Sequence, residues 1–385
     1  MNLKLMTAAK LLAGRCAPSK VVRFVDDRNI KALRTKDYYI SPNNVKLTAV
    51  QLMLEPGMGL EDCLASLCDV VEKAAEDGSD LVCFPEYTGL LPLLTSPTLY
   101  DRCIQLLVDL QEDDAAALQE VQNLFASRLA EPLFEGYYNF FSLLASVTHM
   151  YIQAGSAIVR AHGQLYNRAY LFGPKGEVVL EQNKIHQTPT EKRLGICPGQ
   201  EVSVADTRLG KVAILTGRDQ QVFEAAKAAH LQGAQVLLCP AGLSLAEGEA
   251  WFSSGAFLRC QERPVFAVSS WFCGDLLGEG REKGLPFRGL AGVYGPCGAT
   301  KMGNGIAIQA ESTNCDACLT TRVDLERLGR EVDLYTSDTN SLIQELLWEE
   351  YAHPRPQPES LPMDDPEEEE APPAAAPEEP QETEI

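Results

Sequence analysis

Residues 212–224 read VAILTGRDQQVFE and are followed at 233–242 by GAQVLLCPAG. The apolar run Lys211–Leu215 predicts a buried strand, and Phe223–Gln232 carries helical spacing. Val236–Leu238 predicts a second strand, which stops at Cys239-Pro240. A strand, a helix and a strand in so short a span build a parallel pair with a crossover, which sets the class as α/β.

The same pattern recurs on both sides. Val45–Leu52 is a β-rich run, Leu60, Leu64, Leu67 and Val71 mark a helix over Leu60–Ala75, and Leu81–Phe84 is a short buried strand. Residues 96–132 predict a helical insertion interrupted at Glu112-Asp113-Asp114, packed on the core, with a lid or partner-docking role as the alternative. Phe140–Tyr151 predicts a helix and Ile152–Val159 a strand. Ala169–Phe172 and Val178–Glu181 pair across the turn Gly173–Gly176. Gly255–Arg263 predicts a helix leading into the strand Val265–Ser270, and Ala291–Tyr294, Gly305–Gln309 and Leu319–Val323 supply late strands. Hairpins among crossovers require a mixed sheet.

Three regions follow. Residues 1–44 mix Lys, Arg and Asp without sustained periodicity and are expected to form an N-terminal arm; 45–352 form the domain; 353–385 form an acidic tail. Leu342–Tyr351 is expected to be a last amphipathic helix. Beyond it, nine prolines between Pro354 and Pro380 and eleven acids among residues 359–385 leave too little apolar surface to offset ordering entropy, so the tail is expected to be disordered.

The chain has 385 residues, 33 Lys and Arg against 54 Asp and Glu, and a formal charge of −21. That balance repels nucleic-acid phosphates and anionic membrane surfaces. Lys10 and Arg15 break the apolar N-terminal stretch, and no segment reaches the roughly 18 apolar residues needed to span a bilayer. Twelve scattered cysteines suit reduced thiols, so a cytoplasmic location is expected. Cys315-x-x-Cys318 is half a zinc-site spacing with no second half, and Gly274, Gly278, Gly280 and Gly284 match no phosphate-binding pattern. No metal and no cofactor are expected.

The chemistry-bearing residues are Glu86 in VCFPEY (82–87), and Lys184 and Glu191 in NKIHQTPTEKRLGICPG (183–199). Each follows a strand or turn that would project it into a shared crevice. With YNRAYLFGPKGEV (166–178), VAILTGRDQQVFE and FRGLAGVYGPCGAT (287–300), these strings resemble, in order and separation, the nitrilase superfamily of carbon-nitrogen hydrolases from about Val45 to Leu325. The resemblance implies a four-layer α-β-β-α sandwich and a Glu, Lys, Cys triad with a second Glu, hydrolysing amides or nitriles. In that scheme the Cys attacks carbon, Glu86 moves protons, Lys184 stabilises the developing anion and Glu191 orients the others. A cation between two carboxylates stays charged, and crowding and burial can raise one carboxyl.

The nucleophile departs from the family pattern. With Asp219 fixing the register, the cysteine position falls on Gly217 and the aromatic position on Arg218. Arg218 is expected beside Glu86 and Glu191, pairing with them or offering a fork to an anionic ligand. The leading expectation is a pseudoenzyme, a homodimer or larger homo-oligomer, that binds a small amide- or acid-like ligand or a partner, with Arg218, Asp219 and Cys239 at the ligand. The alternative is an active amide hydrolase with a relocated nucleophile (Cys239, Thr216 or Cys197) or water activated by Glu86.

Overall fold

The computed structural model describes residues 3–35, 37–111, 115–242, 255–277 and 284–331, with 345, 348 and 349. The expected last helix, the acidic tail, the interruption at 112–114, Gly278 and Gly280 lie outside the described residues, or nearly so for the last helix. Everything below belongs to the unit Met1–Ser337.

The strands are β1 (Val45–Met53), β2 (Leu81–Cys83), β3 (Tyr151–Ala161), β4 (Gln164–Phe172), β5 (Val178–Asn183), β6 (Ile196–Cys197), β7 (Val204–Thr207), β8 (Gly210–Ile214), β9 (Val236–Ala241), β10 (Phe266–Leu277), β11 (Gly284–Phe287), β12 (Gly292–Tyr294), β13 (Ile306–Gln309) and β14 (Ala317–Val323). Their order is β5-β4-β3-β2-β1-β10-β9-β8-β7, with the remaining strands attached to β1, β4, β10 and β12. β1 pairs in parallel with both β2 and β10, whereas β3 with β4 and β4 with β5 are antiparallel hairpins, so the sheet is mixed.

The helices are α1 (Leu3–Arg15), α2 (Pro18–Arg28), α3 (Leu60–Glu76), α4 (Pro97–Gln111), α5 (Ala115–Leu124), α6 (Ala130–Thr148), α7 (Pro189–Leu194), α8 (Phe223–Leu231) and α9 (Ala256–Glu262). The period-two alternation of the strands sorts side chains into layers. On β1, Val45, Leu47 and Ala49 enter an inner core between the two halves of the sheet, while Val50 and Leu52 face α2, α3 and α6. On β8 and β9, Val212, Ile214, Val236 and Leu238 face that inner core, while Ala213, Leu215, Leu237 and Cys239 face α8 and α9. Two sheet halves with helices outside each make the expected four-layer α-β-β-α sandwich.

The N-terminal segment differs from an arm. Leu5, Ala9 and Leu12 of α1, with Cys16 just after it, bury against α4 and α6, and Val21 and Val25 of α2 join the core over α6. Frequent Lys, Arg and Asp on the outer face hide this narrow apolar stripe. No helix among the described residues is long and apolar enough to cross a membrane.

Candidate functional site

Glu86 leaves the end of β2. Phe84 N still donates to the Gln153 carbonyl at 2.9 Å, and then Pro85 turns the chain. That turn packs on Gly155, where φ is +72° and a Cβ would stand 1.9 Å from the Pro85 carbonyl oxygen, so only glycine fits. Tyr87 follows at φ +61° and donates its N–H to Ser156 Oγ at 2.9 Å, which aims Glu86 inward.

Lys184 leaves the end of β5, held by its N–H to the Asn167 carbonyl at 2.8 Å and by Gly199 N to its own carbonyl at 2.7 Å. Glu191 is the third residue of α7. Thr188 caps that helix: its hydroxyl accepts from Glu191 N at 3.2 Å, and Glu191 Oε2 accepts from Thr188 N at 2.8 Å. This capping box explains why a one-and-a-half-turn helix can hold a charged side chain in the interior.

The three side chains meet, with exposures of 0%, 1% and 2% for Glu86, Lys184 and Glu191. Lys184 Nζ donates to Glu86 Oε1 and to Glu191 Oε2, both at 2.8 Å. Asn167 Nδ2 bridges the same carboxylates, at 2.9 Å to Glu86 Oε1 and 2.9 Å to Glu191 Oε1. Tyr87 OH donates to Glu191 Oε1 at 2.6 Å, and Gly242 N donates to Glu86 Oε2 at 3.2 Å. Every carboxylate oxygen therefore has a donor, as burial of two acids demands.

The electrostatics separate the two acids. Burial dominates at Glu86 and, with the Glu191 charge, outweighs Lys184, raising the carboxyl to about 7. Glu191 is also buried, yet Lys184, Tyr87 and the Thr188 amide hold it below the usual carboxylate range. For Lys184, burial opposes the charge, but the two carboxylates outweigh it and keep the ammonium protonated.

Gly217 abuts this cluster. It begins a 3₁₀ turn (Gly217–Gln221) at φ +54°, and a Cβ there would stand 2.5 Å from Glu86 Oε2 and 2.8 Å from Oε1. Asp219, fully buried in the same turn, accepts from Ile185 N, His186 N and His186 Nδ1 at 2.7 to 3.2 Å. It ties the turn to the segment after Lys184, so its contacts are to the protein.

Two expected placements change. Arg218 forms no ion pair with Glu86 or Glu191; it is half-buried and donates to the Gln187 carbonyl at 3.4 Å. One step beyond Gly217 in a tight turn, its side chain leaves on another side, and Lys184 already occupies the space between the acids. Cys239 is not at the crevice: it faces α8 and α9 among Ala225, Ala226 and Cys260, where burial pushes its thiol far up. Cys197 is partly exposed in β6, its thiol 4.0 Å from the Gly195 carbonyl. The Thr216 hydroxyl is buried without a hydrogen-bond partner among the described residues.

Sequence reasoning missed Asn167, Tyr87, Thr188 and the Gly242 amide. The signal for all four was present, since Tyr87 ends VCFPEY, Asn167 lies in YNRAYLFGPKGEV, Thr188 precedes Glu191 by three residues in NKIHQTPTEKRLGICPG, and Gly242 ends GAQVLLCPAG. Beside the cluster, Tyr87, Thr188 and Glu191 border a cavity of about 400 Å³.

The carbon-nitrogen hydrolase family model matches residues 46–269. "Probable hydrolase YhcX" of Bacillus subtilis is 27% identical over 303 residues, 77% of this chain and 53% of that protein. The chain thus spans about half the length of that relative. Omega-amidase NIT2-A of Xenopus laevis is 24% identical over 233 residues, 58% of this chain and 73% of that protein. A crystal structure of an amidase from Nesterenkonia sp. superposes with a TM-score of 0.56 at 19% identity, covering 81% of this chain and 100% of that one.

Proposed function

Since the chain belongs to the carbon-nitrogen hydrolase family, we propose that Gly217 stands where the family places its nucleophilic cysteine, and that the protein binds an amide-like ligand without hydrolysing it. The observation that carries this reading is the contact between Gly217 and Glu86. A Cβ at 217 would meet both oxygens of that carboxyl within 2.8 Å, so the carboxyl occupies the room a nucleophilic side chain would need. In triads that act as one unit, losing the nucleophile lowers turnover by about 10⁶.

The neighbours support the same reading. Cys239 is turned into the helix-facing core with its thiol held protonated. Thr216 has no base among its described contacts to accept its proton. Lys184 and the two acids are satisfied by one another, by Asn167 and by backbone amides, an arrangement that holds the scaffold rigid around a pocket.

Trapping with an electrophilic amide tests it. After incubation of the folded protein with fluoroacetamide and peptide mapping, the exposed Cys297 is the expected site of any adduct. A fast adduct on Cys239, Cys197 or Thr216 that is lost in Glu86→Gln would overturn the reading and assign a relocated nucleophile.

A further inference from the structure

The chain is strongly acidic as a whole, yet its first segment is not. From Leu3 to Val25 it carries Lys4, Lys10, Arg15, Lys20 and Arg23 and no Asp or Glu, against a formal charge of −21 for the 385 residues. α1 fixes where three of these cations stand. Its inner face, Leu5, Ala9 and Leu12, is taken up by the domain core. On the opposite face Leu3, Thr7 and Leu11 follow one another four residues apart and so form one row. At 3.6 residues per turn, Lys10 flanks that row on one side and Lys4 and Arg15 flank it on the other.

The row is apolar and open. Leu3 and Leu11 are 76% and 64% exposed. Thr7 donates its hydroxyl to the Leu3 carbonyl at 2.9 Å, so the polar group of the row is already satisfied within the helix. Lys10 and Arg15 are exposed and form no ion pair among the described residues. An apolar row between flanking cations is the layout of a helix that lies in a membrane interface, where leucines enter the acyl boundary and the cations reach back to lipid phosphates. An acidic protein surface would answer the cations but set both leucines against charge, and two copies joined through this face would oppose like charges. The acidic remainder of the molecule acts weakly here, because the Debye length is about 8 Å at physiological salt.

We propose that the outer face of α1 docks the protein on an anionic lipid surface, with Leu3 and Leu11 inserted and Lys4, Lys10 and Arg15 on the headgroup phosphates. This docking is independent of the Glu86 cluster and of whether that site turns over.

Cosedimentation of the full chain with vesicles tests it. The protein is expected to bind vesicles of phosphatidylcholine with about one third phosphatidylglycerol, not phosphatidylcholine alone, and to bind about tenfold more weakly or less at roughly 0.5 M salt. Lys10→Gln and Arg15→Gln are each expected to weaken binding about fivefold. Leu11→Ser, which leaves the charge unchanged, is expected to weaken it by a similar factor of about five. All three positions are exposed, so the melting temperatures are expected to match wild type. Leu11→Trp, read as a difference spectrum against wild type, is expected to shift its emission to the blue on the anionic vesicles. No binding to anionic vesicles, or binding that both Gln variants or Leu11→Ser leave unchanged, overturns the proposal. Retention on polyglutamate beads without vesicle binding assigns an acidic protein to this face and overturns it equally.

Discussion

Glu86 lies between the Lys184 ammonium and the bare backbone of Gly217, and both neighbours follow from its burial. Gly217→Cys is therefore expected to lower stability by about 1–3 kcal/mol, because a side chain at φ +54° is strained and its Cβ must displace the carboxyl. Urea denaturation measures the loss, and the variant is expected to gain no amide hydrolysis. Arg218 does not pair with Glu86 as its place beside Gly217 suggests, since it turns to the Gln187 carbonyl. The raised Glu86 carboxyl also predicts a pH dependence. At about 7 against an ordinary 4.5, the folded state holds a proton that the unfolded chain has released, so this group's stabilisation is full below the ordinary value and declines as pH rises through 7. Glu191, lowered, behaves oppositely and loses its contribution on acidification. The melting-temperature deficit of Glu86→Gln relative to wild type is expected to be larger at about pH 5 than at about pH 8; a deficit that grows with pH contradicts the assignment. Glu86, Lys184 and Glu191 were legible because each sits in a distinctive string. The contact of Gly217 with Glu86 was not, because a missing Cβ leaves no trace of what fills its place.

At the scale of elements, α7 exists to position Glu191, and its cap is as important as its charge. Thr188→Ala removes the hydroxyl that accepts Glu191 N and is expected to lower stability by about 1 kcal/mol, read from thermal melts at neutral pH. Thr188→Ser keeps the oxygen and is expected to restore most of it. The N-terminal helices supply a second test. Leu12 is 2% exposed in the cluster with Leu99, Leu129 and Leu133, so Leu12→Ala is expected to destabilise by about 2–5 kcal/mol, whereas an arm lying free would show almost no change in denaturant midpoint. Sequence periodicity located most strands and helices from β1 onward, since their apolar faces are broad, but not the short β6, β7, β11 and α7. It missed α1 and α2 because Leu5, Ala9 and Leu12 form a narrow stripe between charged residues, and Ala9 is too small to mark it.

For the molecule as a whole, local patterns showed that the sheet is mixed but could not give its order. β1 pairs with β10 and β14, more than 200 residues away, and those pairings depend on which faces bury together rather than on any local signal. The layers then deliver three chain segments, at the ends of β2, β5 and β8, to one buried cluster with an apolar cavity beside it. In the proposed reading this arrangement recognises an amide and lacks the group that would attack it. Ammonia release from simple amides by purified wild-type protein, compared with Glu86→Gln, tests this most directly. The account predicts background rates for both proteins; release by wild type that scales with protein concentration and disappears in Glu86→Gln would contradict it.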